Sequence, residues 1–199
     1  MEAEEKLEAP QPKKRNLKKW FKLAIALFVL GAVLVVPVLG QAREKARRIN
    51  CGGNLKCTGL ALIIYAGDDI DHGYFPSGND FWLLHDQKYL VEGKIYCCPS
   101  ALEPTTSSRD SSYQYFGDGI CDAITEPQLV PLSADKEGNH VDWFNVCFVD
   151  GHVKGYSAPD WQTLVKREGW DTQWERARRE SEDPVKLRER FITDEDSGQ

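Results

Sequence analysis

The side chains best suited to hold a metal or to act as nucleophiles are four histidines and six cysteines, and one stretch sets two of these histidines around an acid. In "NHVDWFNVCFVDGHVKGY", residues 139–156, nine residues separate His140 from Asp150-Gly151, and His152 follows at once. Imidazole nitrogens and carboxylate oxygens both ligate divalent cations, so His140, Asp150 and His152 could share such an ion if the segment folds back on itself. The competing reading is structural. Asp-Gly between runs of aromatic and β-branched residues is a preferred tight hairpin connection, because both residues can take positive φ. On that reading Val146–Val149 and His152–Tyr156 pair across Asp150-Gly151, and His140 caps or hydrogen-bonds the loop entering the hairpin.

Other chemistry finds little support. His72 and His85 are scattered, and HExxH, CxxC and spaced Cys/His pairs are lacking. The aspartates of "GDDIDHG", residues 67–73, superficially resemble a calcium loop but lack its spacing and its distal glutamate, so a solvated turn after a helix is expected. The serines of "TTSSRDSSYQY" lack a GxSxG context, and Gly52-Gly53 does not continue into a phosphate-binding loop. The expectation is a protein that is not an enzyme and needs no cofactor, with the divalent cation as the alternative.

A chain of 199 residues, 41% hydrophobic, can bury one core, so a single folded domain with appendages is expected. Its formal charge of -6 is unevenly spread. Residues 1–22 carry seven Lys/Arg against four Glu, whereas residues 49–199 carry 14 Lys/Arg against 26 Asp/Glu. An acidic domain repels a phosphate backbone, which argues against a nucleic-acid partner.

The basic cluster is instead a membrane flank. From Leu23 to Gly40 there are 18 residues without a charge, roughly 27 Å of helix and enough to cross a hydrocarbon core. Trp20 and Phe21 suit the interface, and six basic residues from Lys13 to Lys22 against four from Arg43 to Arg48 place the N-terminus in the cytoplasm. "VLGQA" could be taken for a signal-peptidase site, but the helical pattern continues through "QAREKARRIN", which favours a retained single-pass anchor. All six cysteines follow the span, as expected on an oxidising side; full pairing could occur in fifteen ways, and buried thiols are the alternative.

The resulting organisation is a basic tail over residues 1–19, a transmembrane helix over 20–40, its continuation over 41–67, a globular β domain over 68–158 and a charged helical extension over 159–199. Beyond Gly52-Gly53, Leu55, Gly59, Leu62 and Ala66 form a narrow apolar stripe, and Gly67 marks the helix stop. A short helix is expected at "NDFWLLHDQKYL", capped by Asn79 or Asp80, with Phe81, Leu84 and Leu90 inward. "KIYCCPS", "SSYQYFGDGI", "WFNVCFVD" and "HVKGY" are expected as antiparallel strands. After Ala158 one or two charged helices offer Trp161, Leu164, Trp170 and Trp174, and could cover a sheet edge.

In order, the apolar helix running into "AREKARRINCGGNLKCTGLALIIYAGD", then "CPS" at Cys98–Ser100 with "SSYQYFG", then His140 nine residues before Asp150-Gly151 in "NVCFVDGHVKGY", resemble the bacterial pilin-like and pseudopilin-like proteins with a C-terminal H-X9-DG domain. The resemblance spans roughly residues 23–156 and makes His140, Asp150 and Gly151 the motif positions. It implies an α+β fold in which a long N-terminal transmembrane helix packs by its outer half on a small antiparallel sheet. It also implies a structural or interaction subunit related to type II secretion or type IV pilus-like systems, in the bacterial inner membrane, with the C-terminal domain periplasmic and other pilin-like subunits as partners through the helix. A disulfide between Cys51 and Cys98 is implied by the family's recurring cysteine positions, with Cys97 as competitor.

The sequence departs from the family at the processing site. Counted back from Pro37, cleavage would fall near Arg15-Asn16, where the family has glycine, and Trp20 stands where the family has glutamate. A chain not processed by prepilin peptidase is therefore expected, and a tryptophan suits a helix that stays in lipid better than an unpaired carboxylate would.

Overall fold

The computed structural model describes residues 17–68, 73–78, 80–101 and 105–182. The chain divides into two compact units, Met1–Arg43 and Glu44–Gln199. Helix α1, Leu17–Asp68, belongs to both. It starts three residues earlier than Trp20, passes through Pro37, and runs on through Gly67, which keeps a negative φ instead of ending the helix. In the first unit its apolar side chains, from Trp20 and Phe21 to Leu39, are exposed. An 18-residue window with mean hydropathy 2.8 has none of its surface buried, and the helix is long and apolar enough to cross a membrane.

The second unit is α+β. Strands β1 (Tyr113–Tyr115), β2 (Pro131–Asp135), β3 (Phe144–Phe148) and β4 (Val153–Tyr156) form one antiparallel sheet in sequential order. Helix α2 (Trp82–Asp86) lies before β1, and α3 (Trp161–Glu168) and α4 (Trp170–Ser181) follow β4. The expected stripe on α1 is the one that packs: Leu55, Leu62 and Ala66 are wholly buried in a core shared with Tyr113, Leu132 and Cys147. Gly59 seats the helix against β3, since a Cβ there would lie 2.3 Å from Cys147 Sγ.

The opposite face of the sheet is buried as well. Along β3, Cys147 belongs to the α1 side, whereas Phe144, Val146 and Phe148 pack with Leu164, Val165 and Trp170 of α3 and α4. The C-terminal helices thus cover a face of the sheet, not its edge. A strand buried at every position, such as "FNVCF", needs cover on both sides, because alternate side chains point to opposite faces. Asp160 caps α3 by accepting from Thr163 N at 2.8 Å, and Gly169 ends it with φ +70.

Several expectations are corrected. "KIY" lies in a 3-10 turn, Gly93–Tyr96, and not in a strand. The second strand, "PLSAD", was not expected, having neither β-branched nor aromatic residues; Pro131 is tolerated as its first residue. The β3–β4 connection is wider than two residues. Gly151 N donates to Phe148 O at 2.8 Å and Phe148 N to His152 O at 3.0 Å, and of the Asp150-Gly151 pair only Gly151 takes positive φ. This is a turn closed by a glycine bulge, with Asp150 Oδ1 accepting from His152 N. At α2, Phe81 is the capping position and Asp80 Oδ1 accepts from Trp82 N, while Leu90 is only half-buried. Asn79, His72, most of the 67–73 loop, the tail before Leu17 and residues 183–199 lie outside the described residues.

Gly59→Ala gains helix propensity worth up to about 1 kcal/mol but forces a methyl group into Cys147 at a cost of roughly 1–3 kcal/mol. The expected net result is a lower denaturant midpoint for the full chain in detergent. Adding Cys147→Ala should remove that penalty, so that Gly59→Ala becomes neutral or stabilising in the Cys147→Ala background.

Candidate functional site

One face of α1, read along the second unit, changes character. Glu44, Arg48 and Cys51 precede Leu55 at spacings of three and four residues, so all lie on the side that meets the sheet. Where the apolar stripe ends, the helix presents a carboxylate, a guanidinium and a thiol to the ends of β2 and β3.

Four segments converge there. Cys51 comes from α1, Cys98 from the segment after the 3-10 turn, Asp135 from the last position of β2, and His140 from the β2–β3 loop; one ligating atom from each lies within 4.8 Å of all the others. All four residues are buried. Cys51 Sγ donates to Asp135 Oδ1 at 2.8 Å, and Cys98 Sγ stands 3.4 Å from His140 Nε2. The other ring nitrogen, Nδ1, is 2.7 Å from Glu44 Oε1. Asp135 Oδ2 accepts from Asn145 N at 2.8 Å and from Asn145 Nδ2 at 2.9 Å.

A further layer holds these groups in place. Ser100 N donates to Cys98 Sγ at 3.4 Å, and Ser100 Oγ to Glu44 Oε2 at 3.3 Å. Arg48 bonds Glu44 from one helical turn away and the carbonyl of Val141 in the His140 loop. Asn145 Nδ2 also reaches the carbonyl of Arg48 at 3.1 Å. The Tyr113 hydroxyl lies 3.4 Å from Cys51 Sγ.

The charge distribution follows from these contacts. Burial pushes the Asp135 carboxyl up to about 6, against the hydrogen bonds from Cys51 and Asn145. The Cys98 thiol is drawn down by the hydrogen bond with Cys51 and then by His140, while Cys51 is pushed up by that same bond, by burial and by the Asp135 charge. Burial pulls the His140 imidazole down, but its bonds to Cys98 and Glu44 outweigh this and leave it above its ordinary value. Partial burial raises Glu44, and the bonds from His140, Arg48 and Ser100 reverse the effect and leave it below.

The expected site residues separate. His140 enters the cluster, whereas Asp150 and His152 do not: they sit beyond the other end of β3, about five residues or ~17 Å of strand away. There His152 Nδ1 pairs with Asp150 Oδ1 at 2.6 Å, and its ring stacks on Phe148 at 4.3 Å. Ten positions joined by an extended strand hold their ends apart, so the cation reading that joins His140 to Asp150 and His152 fails on distance. Gly151 serves the fold by bringing its carbonyl to Lys56 Nζ on α1 at 2.6 Å. Cys51 and Cys98 are neighbours in the structure, as thiols.

Sequence reasoning missed Asp135, Glu44 and Asn145. Asp135 looks like the start of the polar turn "DKEGN", and Glu44 like one charge among several on an exposed helix. The one usable signal was the spacing of Glu44, Arg48 and Cys51 in phase with Leu55.

Among the described residues this is the only group of three or more side chains able to share a metal ion. Two thiols so placed can also form a disulfide. Cys98, His140 and Glu44 are ordered like a nucleophile, base and orienting acid, with Cys98 only 1% exposed.

Asn145 holds Asp135 through two donors, one of which its side chain supplies. Asn145→Ala should leave that buried carboxylate underbonded and lower unfolding free energy by roughly 1–3 kcal/mol, measured by urea unfolding of the full chain in detergent; a cost near zero would mean Asp135 does not depend on it. Comparison with models of known families, with curated proteins and with solved structures finds no match for this chain.

Proposed function

We propose that this chain is a membrane-anchored, pilin-like structural or interaction subunit related to type II secretion and type IV pilus-like systems, retained in the bacterial inner membrane with its N-terminus cytoplasmic. One observation carries the reading. A single helix offers exposed apolar side chains over its first part, and over its second part supplies the core face of a small antiparallel domain. Lipid, or the matching helices of other subunits, would bury the first part. The Cys51–Leu55–Leu62 face is part of the core cluster on that side of the sheet.

The departures near the N-terminus favour permanence over assembly. Trp20 offers no carboxylate to pair with a neighbouring subunit's amine, and Arg15-Asn16 lacks the glycine that a prepilin peptidase reads. Partners would then be met laterally through the apolar helix or through the acidic domain surface, and nucleic acid is not among them.

The chain isolated from membranes of its own host should show the intact mass of 22.6 kDa, and should be released by detergent but not by alkaline washing. A mass lower by about fifteen residues, as cleavage near Arg15-Asn16 would leave, contradicts the unprocessed anchor and supports filament assembly. Release by alkali would contradict membrane insertion itself.

A further inference from the structure

We propose that Cys51, Cys98, Asp135 and His140 form a closed, four-coordinate site for a zinc-like divalent cation that fastens helix α1 to the sheet. The inference is independent of the pilin-like reading and rests on the geometry of the cluster. Two thiolates, an imidazole and a carboxylate are a donor set that zinc accepts tetrahedrally, with metal–sulfur near 2.3 Å and metal–nitrogen near 2.0 Å, so neighbouring donors stand about 3.3–3.8 Å apart. Cys98 Sγ to His140 Nε2 is 3.4 Å, close to that spacing, and one ligating atom from each of the four residues lies within 4.8 Å of the other three. Cys51 Sγ to Asp135 Oδ1 is shorter, 2.8 Å, because a thiol proton bridges them. On metal binding the thiol protons, and any proton on His140 Nε2, pass to solvent, and metal–sulfur bonds take their place.

The surrounding groups orient the donors as a metal site requires. Glu44 sits at His140 Nδ1, which directs Nε2 inward, and a carboxylate behind a ligating histidine raises its basicity. Asn145 occupies Asp135 Oδ2 twice, which leaves Oδ1 facing Cys51. The Ser100 amide points at Cys98 Sγ. Four protein donors without an open position make the site structural and not catalytic.

The two other uses of the cluster fit less well. A Cys51–Cys98 disulfide would take the proton from Cys51, and the wholly buried Asp135 Oδ1 would then face a sulfur with nothing to donate. Left as a simple polar cluster, a buried carboxylate and two thiols have His140 as their only cationic partner within the group. A dication offsets that charge and joins α1, the segment at Cys98, β2 and the β2–β3 loop at one point.

The test uses the full chain in detergent with reductant and without chelator. Elemental analysis should find about one zinc per chain. After stripping, cobalt(II) should give strong visible bands of a tetrahedral site together with a thiolate-to-cobalt charge-transfer band. Cys51→Ser and Cys98→Ser should each weaken the charge-transfer band, Cys57→Ser should not, and Glu44→Gln should keep the band while lowering zinc affinity about 10–100-fold. The unmodified chain decides the matter even if a variant does not fold. Failure of its reduced thiols to bind either metal, a cobalt spectrum without charge transfer, or a Cys51–Cys98 disulfide in the chain as isolated from its host's membranes would overturn the proposal.

Discussion

Between Cys51 and Ala66 one face of α1 lies against the sheet so closely that Gly59 has no room for a methyl group beside Cys147. Close packing of this kind allows a helix little freedom to rotate or slide, because buried side chains on both sides interdigitate with few voids. The orientation set by Leu55, Gly59 and Leu62 therefore also sets the direction of Glu44, Arg48 and Cys51, which share their face. The apolar contact aims the polar cluster: Cys51 meets Asp135 and Glu44 meets His140 because Leu55 and Leu62 are buried.

The sheet answers with its own alternation. Neighbouring positions of β3 serve different faces, Cys147 the helix and Val146 and Phe148 the C-terminal pair α3 and α4. A narrow sheet covered on both sides gains most of its stability from these two apolar layers, since roughly 25 cal/mol accrues for each Å² of apolar surface removed from water. The polar cluster sits where β2 ends and the β2–β3 loop begins, at the end of the helix–sheet layer marked by Cys51. A buried carboxylate is tolerated there because Asn145, itself anchored to the carbonyl of Arg48, satisfies it from β3.

Much of this was legible in the residues and some was not. The long helix and its stripe follow from periodicity, a signal carried by neighbours a few positions apart, and the charged C-terminal helices were expected as one or two and are two. The hairpin followed from Asp150-Gly151 in existence but not in width, because Asp150 bonds to His152 instead of taking positive φ. Strand β2 was missed because "PLSAD" owes its strand to pairing with β1 and β3, which local propensity does not record. The site was half visible. His140, Cys51 and Cys98 stand out by residue type, whereas Asp135, Glu44 and Asn145 acquire meaning only when distant segments meet, and Asp150 and His152 drew attention by a closeness in sequence that a strand turns into distance.

The outer part of α1 is a member of the domain core and not an adjacent stalk. Hydrogen exchange of the full chain in a lipid bilayer disc tests this most directly, followed peptide by peptide over Glu44–Asp68 and over β2 and β3. If the helix and the sheet form one cooperative core, amides from Cys51 to Ala66 should open with the same free energy as those of Phe144–Phe148, and should lose protection together in rising urea. Helix amides that exchange well before the sheet, or that stay protected after the sheet has opened, would contradict it.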